Sequence, residues 1–179
     1  GLEFLDEHDA YALELWEAEG IRCKELEASK VALVEPNLVP PAKTAYFLPD
    51  MAQVRNPWHL RVLIEACQTC NVRLYPRQPA SRWEMKSGKI TGVRLDNGNV
   101  RTAGSYIISV GAWGADWLQP LGVSAPIHPV RGQIRLYHPA KPILSRIVTV
   151  GKRYLVPRSD GRILVGSTEE PEAGFDSTT

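Results

Sequence analysis

The chain has 179 residues, of which 44% are apolar and 23% charged, and its formal net charge is +1 at pH 7. This composition is typical of a globular protein with a buried hydrophobic core, and it excludes an intrinsically disordered chain. The 21 basic residues are balanced by 20 acidic ones, so charge gives no argument for binding nucleic acid or an acidic membrane surface. No apolar run approaches the ~18 residues of a membrane span and no cationic leader opens the chain, so we expect a cytoplasmic protein with a small-molecule partner.

Two helices and a hairpin are predicted at the start of the chain. Residues 2–19 mix acidic and apolar side chains in a pattern typical of an amphipathic helix. Residues 29–35 predict a second helix, which Pro36 ends. Residues 44–48 and 52–55 have strand character and flank a Pro-Asp turn, so we expect them to form a hairpin.

A longer helix is predicted from Asn56 and Pro57 to about Cys70. Asn can cap the free amides of a first turn, and Pro needs no amide partner at the first helical position. A short strand is expected after the helix, at residues 72–75. Apolar residues recur along the helix at intervals of three and four, which predicts one buried face: Leu60, Leu63, Ile64 and Cys67.

The middle of the chain changes from a meander to a strand and a helix. Residues 80–102 predict about three strands with two sharp turns, one of them Asn97-Gly98, a pair that tolerates the positive φ of a tight hairpin. Residues 105–110 are compact and apolar, as in a strand buried on both faces. They lead into the small-residue turn at 111–114 and a helix to Leu118, and such a turn commonly forms the ligand edge of an α/β sheet.

The remainder of the chain is rich in strand patterns and ends in an acidic tail without periodicity, at residues 169–179. Helix and strand alternate only in the middle of the chain, with β-rich pieces on both sides. The sequence therefore predicts an α+β fold made of two interleaved domains. The strands expected in this last part are residues 127–138, 147–150, 153–156 and 163–166.

Three cysteines are too few, and odd in number, for a disulfide scaffold. Cys67 and Cys70 have the spacing of a redox or zinc pair, but the four histidines supply no second ligand pair. The pair also closes a predicted helix, where the helix dipole opposes a thiolate. We therefore expect reduced, structural cysteines and no metal.

No self-contained active-site signature occurs, whether a G-x-G-x-x-G turn, a Walker loop, H-E-x-x-H or G-x-S-x-G. Glu169 and Glu170 are interpreted as a solvated acidic surface in preference to a general acid and base. The most informative local feature is the turn at residues 109–114, because its glycine would let a phosphate or ribose approach the backbone. A purely structural turn explains the same residues, and core or interface packing explains Trp113.

Six short runs keep their order and spacing over nearly the whole chain: AYFLPD at 45–50, AQVRNP at 52–57, GAW at 111–113, HPVRGQ at 128–133, RYLVPR at 153–158 and GRILVGST at 161–168. Together they resemble the D-amino-acid-oxidase-type FAD-dependent oxidoreductases. Within that family they are most similar to the glycine oxidases of thiamine biosynthesis. The resemblance rests on the series of runs, since no single run is decisive.

The resemblance implies an incomplete α/β FAD-binding domain interleaved with part of an antiparallel substrate domain, like the C-terminal domain of FAD-linked reductases. Residues 57–125 would belong to the FAD-binding domain, and residues 1–56 and 126–179 to the substrate domain. The family's N-terminal glycine fingerprint, which holds the pyrophosphate, is absent from the sequence, as is its C-terminal Gly-Leu-Arg-Pro-like segment, whose Arg holds the substrate carboxylate. The resemblance therefore implies an internal fragment, inactive alone and binding FAD weakly or not at all.

The resemblance also implies site residues, none of them a catalytic acid or base. Tyr154 matches the position whose phenol helps to hold the substrate carboxylate. Arg131 and Arg158 are neighbouring cations that could assist, although surface ion pairing explains them equally well. Glu169 stands where some members carry an apolar active-site residue, which leaves the substrate preference open. Four residues would line FAD, mainly through their backbone: Ala80 at the adenosine end, and Gly111, Ala112 and Trp113.

For the whole enzyme, the resemblance implies hydride transfer from the α-carbon of a small amino acid or amine to the flavin, with glycine as the first candidate. The product would be an imine, oxygen would be the acceptor, and hydrogen peroxide would form; a homo-oligomer is compatible with this interpretation. Two alternatives stay open. A sister enzyme that oxidises sarcosine, proline or another secondary amine, or a dehydrogenase that passes electrons to an acceptor other than oxygen, shares every run. A β-rich binding module without flavin would equally lack the phosphate loop.

Overall fold

A computed structural model describes residues 1–6, 9–41 and 43–175. Residues 7, 8 and 176–179, which the sequence assigns to the first helix and the acidic tail, lie outside the described part. The chain divides into two compact units of two segments each: Gly1–Val54 with Arg131–Glu170, and Arg55–Val130 with Pro171–Thr179. The mixture of sheets and helices confirms the predicted fold class, while the assignment of substrate and FAD-binding domains stays a prediction.

Ten strands and four α-helices are described. The strands are β1 (Leu2–Leu5), β2 (Lys24–Leu26), β3 (Thr44–Phe47), β4 (Ala80–Lys86), β5 (Lys89–Leu95), β6 (Val100–Arg101), β7 (Ile134–Tyr137), β8 (Val148–Val150), β9 (Arg153–Pro157) and β10 (Ile163–Gly166). The helices are α1 (Ala10–Ala18), α2 (Ala28–Val34), α3 (Asn56–Thr69) and α4 (Gly114–Leu118), and short 3-10 turns lie at Gly111–Trp113, Gln119–Leu121 and Pro171–Ala173. None of the described helices is long and apolar enough to cross a membrane.

The first unit is built on a seven-stranded sheet in the order β2-β3-β1-β8-β9-β10-β7. All neighbours are antiparallel except β1 and β8, which run parallel. Alternation along β1 sends Leu2 and Phe4 into the core and Glu3 to the other face. The core then closes with Val31 of α2 and with Ala45 and Val148 of the neighbouring strands. Around β3, β1 and β8 one face of the sheet is thus apolar and packs against α2, whereas the other face carries Glu3 and Thr149.

A buried carboxylate ties α2 to the segment that precedes β8. Glu35, which follows α2, is 1% exposed, and its Oε2 accepts hydrogen bonds from the backbone amides of Ser145 and Arg146 at 2.9 and 3.0 Å. The Ser145 hydroxyl donates a third bond to the same oxygen at 2.8 Å. Because every one of these bonds ends on a buried charge, they offset the cost of removing it from water.

The second unit contains the antiparallel meander β4-β5-β6, the helix α3 and the short helix α4. Gly88 and Gly98 take positive φ values of +75° and +84° in the two hairpin turns, as tight turns require. The structure confirms the predicted helices at α2 and α3, the meander and the strands β8, β9 and β10. Of residues 127–138, expected to form one strand, only those of β7 do so.

The prediction of one helix over residues 2–19 is wrong at its start. Residues Leu2–Leu5 form the strand β1, and α1 begins only at Ala10. β1 pairs with both β3 and β8, and these long-range pairings outweigh the local helical pattern. The hairpin expected from 44–48 and 52–55 is also wrong, because β3 pairs with β1 and β2 and residues 52–55 form no strand.

The predicted strands at 72–75 and 105–110 are wrong as well. No strand of the described chain pairs with either segment, and Ile107 is 91% exposed. The predicted buried face of α3 is likewise absent, since none of its residues, all described, is buried and Leu60 is 60% exposed. Asn56 is the first helical residue and not the cap, a position that Arg55 takes without a side-chain bond. The apolar residues of these two segments and of α3 would be buried only against neighbouring strands or helices, which the described residues do not supply.

Candidate functional sites

The face of the first sheet opposite its core carries a continuous row of side chains in register. Cross-strand partners lie on the same face of a sheet, so the row can be followed from strand to strand. Tyr154 is directly opposite Thr149 of β8 on one side and Gly166 of β10 on the other. The full row, from β2 to β7, is Glu25, Tyr46, Glu3, Thr149, Tyr154, Gly166 and Ile134.

The ring of Tyr154 leans across β10 and lies over Gly166. A Cβ atom placed on Gly166 would fall 2.5 Å from the Tyr154 hydroxyl oxygen and 2.6 Å from its Cε2. The phenol is half-buried, and its hydroxyl neither donates a hydrogen bond to a described residue nor accepts one. A hydroxyl held in this way can donate to a ligand on the open face of the sheet.

Thr149, the neighbour of Tyr154 in the row, donates from its hydroxyl to Glu3 Oε2. Burial raises the pKa of Glu3, and the hydrogen bond from Thr149 partly opposes the effect. Glu3 therefore lies on the same face as Tyr154, two strands away and already bonded to the intervening strand. No local sequence pattern identifies this carboxylate, because its partner is 146 residues along the chain.

The segment after β10 is fastened to the start of β7 by backbone bonds. The amide of Thr168 donates to the Gln133 carbonyl at 3.2 Å, and the Glu170 amide donates to the Arg131 carbonyl at 2.8 Å. The Arg131 amide returns a bond to the Glu170 carbonyl at 3.3 Å. These three bonds continue the sheet beyond Gly166 and fix the path of the backbone there.

An ion pair strengthens the same junction. Arg131 Nε donates to Glu170 Oε2 at 2.8 Å, and the two side chains are only 23% and 27% exposed. The Thr168 hydroxyl and the Gln133 amide bind the other oxygen of Glu170 at 2.8 and 3.1 Å. The hydrogen bonds from Arg131, and then from Thr168, lower the pKa of Glu170 below its ordinary value. Glu170 thus differs from the solvated carboxylate that the sequence predicted, whereas Glu169 is exposed and pairs with Lys152.

The two cations predicted near Tyr154 have partners of their own. Arg131 is engaged by Glu170, as the ion-pairing alternative proposed. Arg158 Nη1 donates to Gln53 Oε1 at 2.7 Å, and the Gln53 amide in turn donates to the Pro157 carbonyl at 2.6 Å. Both arginines therefore form bonds within the first unit.

The second unit contains a cleft of about 750 Å³ at the junction of β4 and the turn before α4. Three of the four residues predicted to face FAD line it: Ala80, Gly111 and Trp113; the fourth, Ala112, does not. Gly111 has a φ of +58°, a conformation that glycine adopts readily and other residues rarely do. The remaining lining comes from residues 79, 81, 109, 110, 116 and 117.

Aromatic contacts hold the two walls of this cleft. Trp83 of β4 donates from its indole Nε1 to the Trp117 carbonyl at 2.8 Å, and its ring packs edge-on against Trp117 and Tyr106 with centroids 5.1 and 5.6 Å apart. Trp113 stacks on Phe175 with centroids 5.0 Å apart and remains 57% exposed. Sequence reasoning missed the role of Trp83, since no local pattern relates residues 34 positions apart.

The lining of the cleft matches only part of an FAD molecule. Its volume is in the range of small-molecule sites, and its walls are apolar apart from the hydroxyls of Ser81 and Ser109 and the carboxylate of Asp116. Aromatic and backbone surfaces suit an adenine ring and a ribose. A pyrophosphate needs cationic side chains or free helix amides, and none of the lining residues is a cation.

Comparison with known proteins gives consistent results along the chain. The family model described as FAD dependent oxidoreductase matches residues 2–179. The chain is 36% identical over 178 residues to a glycine oxidase of Pseudomonas putida and covers 48% of that protein. It is 34% identical over 180 residues to a glycine oxidase of Pseudomonas aeruginosa and covers 49% of that protein. Each match includes 99% of the chain. It superposes on L-proline dehydrogenase from P. horikoshii with a TM-score of 0.85 at 18% identity, over 99% of the chain and 50% of that chain, which shows a shared fold. The chain thus spans about half the length of the curated relatives that it matches.

The Glu170 ion pair predicts a pH-dependent contribution to stability. Folding lowers the pKa of Glu170 from about 4.5, so folding favours its ionised form. The stabilisation is complete above the unfolded pKa and is lost as the pH falls through the lowered, folded one. Glu170→Gln should therefore lower the Tm at pH 7, and the difference in Tm from the unsubstituted protein should narrow as the pH falls below the unfolded pKa of about 4.5.

Thermal unfolding measured from pH 7 down to pH 3 tests this expectation. Glu172→Gln is the matched control, because Glu172 is exposed and makes no ion pair in the described part of the chain. A gap for Glu170→Gln that keeps the same size at every pH would show that the charge of Glu170 contributes nothing.

Proposed function

Since the chain belongs to the FAD dependent oxidoreductase family, we propose that the protein containing it is an FAD-dependent oxidase that acts on glycine. Two observations support this substrate: the 34–36% identity to glycine oxidases over nearly the whole chain and the position of Tyr154. The Tyr154 hydroxyl carries the proposal, because it is a hydrogen-bond donor on an open sheet face with no protein acceptor among the described residues.

When bound, FAD would supply the redox chemistry: the substrate would give up a hydride from its α-carbon and a proton from its amine to become the imine, and oxygen would take up the two electrons and two protons as hydrogen peroxide. A carboxylate is the one charged group that glycine offers besides its amine. The Tyr154 hydroxyl would donate to an oxygen of this carboxylate, in a charge-assisted bond that is short and directional. Such a bond orients the α-carbon, and accurate orientation contributes several powers of ten to enzymatic rates.

No side chain of the described residues is needed as a general base in this scheme. The work of the protein is to bind, to orient and to exclude water, as is usual where a cofactor performs the chemistry. The cleft of the second unit would take the adenosine end of FAD, with Trp113 and Gly111 against the rings and ribose. The pyrophosphate contacts would come from other parts of the protein, because the lining of the cleft contains no cation.

A secondary amine is the second candidate substrate class. The fold that the chain shares with an L-proline dehydrogenase supports this alternative, because one architecture can carry different chemistries. Glycine, sarcosine and proline each present a carboxylate on the amine-bearing carbon, so the bond to Tyr154 would serve all three. A comparison of kcat/KM for these three compounds separates the candidates.

Trp113 tests the proposed position of the cofactor. In the full-length protein, Trp113→Ala should raise the Kd for FAD about threefold to tenfold, the effect of losing one aromatic contact. The Kd is read from flavin fluorescence during titration of the apoprotein. Trp58→Ala is the control, because Trp58 on α3 is equally exposed, at 56% against 57%, and lies outside the cleft. Equal effects of the two substitutions would contradict the proposed position.

Tyr154 tests the proposed binding of the substrate. Tyr154→Phe in the full-length protein removes the hydroxyl and keeps the ring, so it should raise KM for glycine about tenfold or more while kcat changes little. Steady-state oxygen consumption over a range of glycine concentrations gives both constants.

The matched control for this experiment is Tyr11→Phe, since Tyr11 is 71% exposed on α1. It should leave KM unchanged. A KM for Tyr154→Phe within twofold of the unsubstituted value would remove Tyr154 from the substrate site.

A further inference from the structure

We propose that Gly166 is a positioning residue of the substrate site: the empty space above it determines where the Tyr154 phenol lies. The inference deepens the proposed function and rests on it, since it concerns how the carboxylate-binding hydroxyl is held. The oxidation of the substrate glycine does not itself require a glycine residue at position 166. The requirement comes from the Tyr154 ring, which packs over the Cα of Gly166.

The antiparallel register of β9 and β10 sets Tyr154 and Gly166 directly opposite each other. A Cβ on Gly166 would lie 2.5 Å from the Tyr154 hydroxyl oxygen, whereas ordinary contacts of a Cβ begin at about 3.4 Å. The end of the ring that carries the functional oxygen is thus the part that a side chain would strike. Relief of the clash requires a shift of about 0.9 Å, which is large compared with the tolerance of a hydrogen bond.

Glycine at position 166 is not explained by a left-handed φ. Its φ lies outside the left-handed region, whereas Gly161 in the turn before β10 has a φ of +83°. The space above its Cα, which the Tyr154 ring occupies, leaves no room for a side chain.

The backbone at position 166 cannot easily move away from the ring. Gly166 is paired with Tyr154 on one side and with Ile134 on the other, so β10 has neighbours at both edges. Just beyond it, Thr168 and Glu170 are bonded to the start of β7 through the backbone and through the Arg131 ion pair. An added methyl group would therefore displace the phenol, which turns about two single bonds, in preference to the strand.

Gly166→Ala in the full-length, FAD-loaded protein should therefore weaken substrate binding while the protein stays folded. The displaced hydroxyl would lose its bond to the carboxylate, so KM for glycine should rise about tenfold to a hundredfold. Tyr154→Ala removes the ring that the methyl group would strike. In the Tyr154→Ala background, adding Gly166→Ala should change KM by less than about twofold, which is the non-additivity expected of a residue that acts through another.

Gly104→Ala is the matched control. A Cβ on Gly104 meets no atom within 4 Å, and its φ is outside the left-handed region. This variant should keep the KM and kcat of the unsubstituted protein. A Gly166→Ala variant that behaves like Gly104→Ala would overturn the inference, and so would a Gly166→Ala effect of equal size with and without the Tyr154 ring.

Two results would leave KM unmeasured: a variant that gives no soluble protein and an enzyme that oxidises no amino acid. If Gly166→Ala alone gives no soluble protein, recovery of soluble protein in Tyr154→Ala/Gly166→Ala supports the clash, and continued failure contradicts it. If the unsubstituted enzyme oxidises no amino acid, the proposed function fails, and crystal structures of the unsubstituted protein and of Gly166→Ala then decide whether Gly166 determines the position of the phenol. A Tyr154 hydroxyl displaced by about 0.9 Å in Gly166→Ala supports it, and an unmoved ring overturns it.

Discussion

The pairing of β9 with β10 is the contact on which the proposed substrate site depends. It sets Tyr154 opposite Gly166 and makes both part of a row that continues through β8 to Glu3 of β1. Because side chains alternate along each strand, the register that buries Leu2 and Val148 on one face necessarily presents Tyr154 on the other. A slip of one residue would send the phenol into the core. Core packing and the position of the phenol are thus consequences of one register.

The two units contribute different chemistry. The first provides a hydroxyl donor on a sheet whose continuation past Gly166 is fastened by the pair of Arg131 and Glu170. The second provides an apolar cleft, whose walls Trp83 holds together through Trp117. Among the carboxylates at these sites, Glu3 is already bonded to Thr149, and Asp116 lies in the lining of the cleft. This division agrees with a flavoprotein, in which the protein binds and orients while the cofactor transfers electrons.

Sequence patterns predicted the elements whose information is local. The Asn97-Gly98 turn, the Pro57 helix start and the alternation within β9 and β10 each lie within a few residues. They failed for β1, because its strand character depends on β3 and β8, over 40 residues away. At residues 105–110 the patterns predicted a strand that does not form, because this apolar run has no strand beside it in the described chain. Family resemblance pointed to Tyr154, but the proposed role of Gly166 follows only from the atoms above it.

A crystal structure of the full-length, FAD-loaded protein with bound acetate would show whether the Tyr154 hydroxyl holds a substrate carboxylate. Acetate has the carboxylate of glycine and no amine, so it binds without being oxidised. We expect a carboxylate oxygen at about 2.5–3.0 Å from the Tyr154 hydroxyl, above the face of the sheet that Gly166 leaves open. Acetate bound elsewhere, with the Tyr154 hydroxyl more than about 4 Å from its oxygens, would contradict it.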